Sequence, residues 1–213
     1  MGKICIIILL CILICYIGHE KKIRYIVPKE KDKLFWCFYI LYKGMDEYNN
    51  INSHFAVEKT FKLDFVNIIR ENKALLKFYK LKRSDVENQL VNEYKIERNV
   101  FCLLCIYYEI DIMFILKNFY YEINGLSKND KINIISCING DYCIDSEIGH
   151  IDFYRLNYYR MDNLNRFIKP LSGYKLDELQ NICIKLNINL ENSTSKQKTK
   201  TELYTDIVSL IES

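Results

Sequence analysis

Glycine and proline are scarce in this chain, at seven and two of 213 residues, and alanine is as rare as proline. Ile, Asn, Lys, Tyr and Phe stand in their place. These residues have A/T-rich codons, so the bias points to a genome of low G+C content and carries no functional message. Neither sign of charge dominates. A formal net charge of +3 is too small to imply a nucleic-acid partner for the chain as a whole. The nine cysteines are odd in number and follow no repeating spacing. Cys102 and Cys105 form a CxxC, but Phe101, Leu103 and Leu104 surround them and no second Cys or His pair stands at finger spacing. No metal and no cofactor is therefore expected. A reduced cysteine inside an apolar helix behaves as a small hydrophobe, and the usage reads as cytosolic. No internal repeat is visible.

What is present is mostly foldable. Half of the residues are hydrophobic and 27% are charged, and the length suits one full core plus a small appendage. Residues 1–22 stand apart. Met-Gly-Lys is followed by fourteen apolar residues, Ile4 to Ile17. As a helix these reach about 21 Å, short of a hydrocarbon core of roughly 30 Å. No small-x-small cleavage site follows, and Ile6 stands where a myristoylation signal needs Ser or Thr. Lys21, Lys22 and Arg24 favour a body on the cytosolic side. The run reads either as an uncleaved membrane anchor at residues 4–17 or as an extension from an upstream start codon.

From residue 23 the chain reads as an α+β body to about residue 170. KIRYIV is a short strand stopped by Pro28, and Asp32 is a good N-cap for a helix over 33–43 that Gly44 ends. Leu34 to Tyr42 are all apolar or aromatic, so this helix, which carries Cys37 beside the only tryptophan, is buried on every side. Residues 57–82 have a helical period, Ser84 with Glu87 forms a capping box, and FCLLCIYYE is a second buried helix. DIMFIL, FYYEI, KINIISC, DYCIDSE and HIDFYRL read as short strands broken at Asn124-Gly125 and Asn139-Gly140, giving an antiparallel sheet. His19 and His54 lie in loops or flanks without partners. Residues 171–213 read as a helical hairpin, with Leu176, Leu179, Leu186, Leu203 and Ile207 buried between two amphipathic helices. A lysine-bearing loop joins them and leaves Lys196, Lys198 and Lys200 exposed on one side of the second helix's N-terminus, where phosphate is favoured.

Three resemblances attach to these segments. KDKLFWCFYI, VEKTFKLDFVNIIRENKALLKFYKLKRSDVENQL and YKLDELQNICIKLNI…KTKTELYTDIV look like an uncharacterised family of large nucleocytoplasmic DNA viruses. That likeness implies a viral accessory protein in the host cytoplasm or the virion, with other viral proteins as partners. The hairpin resembles SAP-type and Rho N-terminal-type modules, which implies contact with DNA or RNA through Lys196, Lys198 and Lys200. The order of elements over residues 32–156 is similar to OTU-like and other papain-like cysteine peptidases. There Cys37 would be the nucleophile, His150 the base, Asp152 or Asn163 its orienter and Asp32 an oxyanion-hole residue, with a ubiquitin-like protein as substrate. The spacing departs from that pattern, since five positions separate Asp32 from Cys37 with no glycine between. Three functions therefore stand open: an inactive papain-like core with a nucleic-acid module, an active cysteine peptidase, and a membrane-tethered interaction module.

Overall fold

The computed structural model describes residues 25–123, 132–146, 151–161, 166–193 and 195–212. Its class is α+β, with nine helices among the described residues and one six-stranded sheet. Helix α1 (Lys33–Lys43) begins where the Asp32 carboxylate accepts the Phe35 N–H at 3.2 Å. It ends where Gly44, at φ 93°, donates its N–H to the Ile40 carbonyl at 2.9 Å. Every residue from Leu34 to Ile40 is buried. Four helices then follow before the second buried one: α2 (Met45–Asn49), α3 (His54–Glu71), α4 (Lys73–Phe78) and α5 (Arg83–Val91). The buried α6 (Arg98–Tyr107) packs beside α1.

The strands are β1 (Tyr25–Ile26), β2 (Ile112–Leu116), β3 (Phe119–Ile123), β4 (Asn133–Ile138), β5 (Asp141–Asp145) and β6 (Tyr159–Arg160), in the order β1-β5-β4-β2-β3-β6. Two hairpins, β2–β3 and β4–β5, lie side by side. The second turns at Asn139 and Gly140, both left-handed at φ 52° and 84°, as a two-residue turn of the primed kind requires. The sheet is mixed, contrary to the antiparallel expectation, because β2 runs parallel to β4 and β3 parallel to β6. Strand alternation gives it two apolar faces. Ile112, Phe114, Phe119 and Ile135 share a core with α1 and α6. Met113, Ile115, Tyr120 and Ile134 face the opposite way, under Tyr154 of α7 (Ile151–Asn157).

That last helix corrects the expectation of a strand in HIDFYRL. Ile151, Tyr154 and Tyr158 recur at helical spacing and pack on the sheet together, whereas Phe153 is half exposed. The Ser84 capping box is also absent. Ser84 donates to Asp85 instead, and Glu87 receives Arg70 and Arg83. At the C-terminal end α8 (Leu176–Lys185) and α9 (Lys200–Glu212) bury Leu179, Ile182, Cys183, Leu186, Leu203 and Ile207 in a core continuous with that of α1 and α6. Leu176, expected inside, is 44% exposed. Lys117, in the β2–β3 turn, ties α9 down by donating to the carbonyls of Leu210 and Ile211 at 3.0 and 2.7 Å. Among the described residues no helix is long and apolar enough to cross a membrane, and residues 4–17 lie outside them.

Candidate functional site

The side chains that meet in space differ from those the sequence singles out. Asp32 does more than cap α1. It is 1% exposed, and its second oxygen accepts the Ile96 N–H at 3.0 Å and the Lys62 ammonium at 2.6 Å. One carboxylate thereby joins α1, α3 and the segment leading into α6. Lys62, itself 4% exposed, also donates to Glu58 at 2.7 Å, one turn back on α3. The other oxygen of Glu58 accepts the Trp36 indole N–H at 2.8 Å. Burial raises the pKa of Asp32, outweighing Lys62 and the two backbone donors that pull it down. Lys62 divides its charge between two carboxylates, which limits what it can do for either.

His54 opens α3 on the same side. Its ring lies against Trp36 with centroids 4.9 Å apart, and Nε2 stands 3.4 Å from Glu30, which also accepts the Tyr48 hydroxyl at 2.9 Å. The expectation that His54 has no partner is therefore corrected. His54, Glu58 and Lys62 follow one another at intervals of four, the helical stripe that turns toward Asp32.

Above this floor opens a cleft of about 590 Å³ between the first turns of α3 and the end of α5. Phe55 and Lys59 form one wall, and Leu90, Val91 and Tyr94 the other. Phe55 and Tyr94 are large aromatics left 77% and 83% exposed. A lysine lies over each ring, Lys59 above Phe55 at 6.0 Å and Lys31 above Tyr94 at 5.9 Å. No serine, threonine or cysteine lines the cleft among the described residues. Nor do the described residues group three His, Cys, Asp or Glu side chains so as to hold a metal ion. Models of known families, curated proteins and solved structures yield no match to this chain.

Cys37 lies elsewhere. It is fully buried, with Cys105 of α6 and Cys143 of β5 near enough to act on its thiol, and burial drives its pKa well upward. Asp32, five residues back, pushes in the same direction. The thiol is held protonated, unlike the thiolate that a nucleophile needs. Asp152, in the first turn of α7, has a side chain 88% exposed and pairs with Arg155 at 3.5 Å. The sheet separates it from Cys37, since α7 covers one face and α1 the other. His150 and Asn163 lie outside the described residues. Asp32 is spent on Lys62 and two backbone N–H groups, so the structure brings none of the described partners to Cys37.

The three hairpin lysines also part company. Lys196 is exposed, whereas the Lys198 ammonium donates to the Asn189 carbonyl at 2.8 Å and pairs with Asp206 at 2.9 Å. Lys200 is half-buried as the first residue of α9. Glu202 occupies that helix N-terminus, accepting the Thr199 N–H and hydroxyl, each at 2.7 Å, while Thr199 accepts the Glu202 N–H. This capping box fills with the chain's own carboxylate the place where a phosphate was expected.

Proposed function

We propose that this chain is a binding protein rather than an enzyme, and that the α3–α5 cleft receives a segment of a protein partner. One observation carries the proposal: Phe55 and Tyr94 stand exposed at the mouth of a largely apolar cleft, over a floor fixed by buried ion pairs. Exposed aromatics around a concavity are the usual anchors of recognition, and a rigid floor lowers the ordering cost of binding. That no serine, threonine or cysteine stands in the described lining favours binding over covalent catalysis. A papain-like descent rests on element order alone, with Cys37 now a packing residue. Viral origin and a membrane tether at residues 4–17 rest on sequence likeness and composition.

The nucleic-acid reading of the hairpin keeps exposed Lys196 but loses most of Lys198 and the α9 N-terminus to internal contacts. It ranks second. A selection of random displayed peptides on the full chain tests the proposal. Peptides should be enriched that bind the wild type and lose binding to Phe55→Ala/Tyr94→Ala, a change confined to exposed side chains. No enrichment, or equal binding to the variant, would sink it.

A further inference from the structure

We infer that the cleft is anchored by a basic side chain of its partner, arginine ahead of lysine. This rests on the binding role just proposed and names the chemistry of the occupant. What supports this is where the charges of the cleft lie: its four carboxylates, Glu30, Asp32, Glu58 and Glu93, exceed its three lysines, Lys31, Lys59 and Lys62, by one, and three of the four lie on the floor. Around the Trp36–His54 pair stand three carboxylates, Glu30, Asp32 and Glu58, against a single ammonium, Lys62. Asp32 is sealed, but the side chains of Glu30 and Glu58 line the cleft and are 18% and 23% exposed. Glu93 adds a fourth carboxylate from the opposite wall.

Each of these two partly buried carboxylates is oriented from behind. Glu58 is held by Lys62 and Trp36, and Glu30 by Tyr48 and His54. Both Glu58 oxygens and one Glu30 oxygen accept a hydrogen bond from behind, and each keeps a second acceptor direction for a ligand. Preorganised acceptors at the bottom of a partly desolvated cleft suit a cation better than water does. Arginine fits best, because a planar guanidinium can satisfy two carboxylates at once and lie flat on an aromatic wall such as Phe55 or Tyr94. Lys31 and Lys59 do not oppose this. They are drawn out over the rings at the rim, where they would meet carboxylates flanking the basic anchor.

The peptides enriched on the wild-type chain and lost on Phe55→Ala/Tyr94→Ala supply the test. They should share one arginine or lysine position. Replacing that residue with citrulline, which keeps the shape and removes the charge, should weaken binding about tenfold or more. Replacing arginine with lysine should weaken it less, and Glu93→Gln in the protein should also lower the affinity. Cleft-dependent peptides with no shared basic position, or full affinity after the citrulline exchange, would overturn the inference while leaving the cleft as the binding site. A failure to obtain any cleft-dependent peptide would overturn both.

Discussion

At the scale of single residues, Lys62 is the side chain on which the site depends most. Replacing it with methionine removes the ammonium that faces two carboxylates, one of them fully buried. Leaving a buried charge unpaired costs about 3–5 kcal/mol, and a denaturant titration of Lys62→Met should show a loss of that order. Asp32 supplies a companion prediction. Burial raises its folded-state pKa above the unfolded value, so between those values the folded chain holds a proton that the unfolded chain has lost. Its contribution to stability is complete below the unfolded pKa and is lost as pH rises through the folded one. Carboxyl carbon NMR should place the Asp32 titration above the ordinary aspartate value, and higher still in Lys62→Met, where a charge that lowers it is gone. A titration at or below that value would contradict this account of the floor. Cys37 is a matter of packing. Cys37→Ala should destabilise the fold by about 1–2 kcal/mol through the cavity left beside Cys105 and Cys143. A thiol-reactive ubiquitin probe should leave Cys37 of the native wild type unlabelled, and selective labelling there would restore the peptidase reading.

At the scale of elements, the hairpin gives the sharpest contrast. Lys198→Glu should lower stability by about 1 kcal/mol, since it breaks the Asp206 pair and strips the Asn189 carbonyl of its donor. Lys196→Glu should stay within about 0.5 kcal/mol in thermal unfolding, as an exposed charge does. Equal effects from the two would contradict the separate roles assigned to them. DNA or RNA binding at low salt that disappears on Lys196→Glu would return the hairpin to the centre of function. Elements whose signals are local were legible in the sequence. Asp32, a run of apolar residues and Gly44 mark the whole of α1, and Asn139-Gly140 marks the β4–β5 turn. HIDFYRL was not, because over so short a stretch its apolar residues fit a period of two as well as a helical one, and only packing of Ile151 and Tyr154 on the sheet decides. The pairing of β2 with β4 in parallel was equally hidden, since the β2–β3 hairpin offers the next strand either edge and only contacts distant in sequence decide between them.

At the scale of the whole molecule, the candidate site is a long-range construction. Asp32 meets Lys62 across 30 positions and Ile96 across 64, and no local pattern announces either contact. The His54–Glu58–Lys62 stripe was the available signal, a histidine, an acid and a base at intervals of four on one helix. Asp32 was singled out for an oxyanion hole and turns out to be the joint between α1, α3 and the approach to α6. The fold places this joint beneath two exposed aromatic rings and buries Cys37 beside Cys105 and Cys143 in the interior. The central claim, that the cleft is the working surface, is tested most directly by an amide and side-chain NMR map of the full chain titrated with a peptide selected on the wild type. Saturable shifts should centre on His54, Phe55, Glu58 and Tyr94 and should vanish in Phe55→Ala/Tyr94→Ala. Shifts centred instead on Lys196 and the start of α9, with the cleft unmoved, would contradict the account.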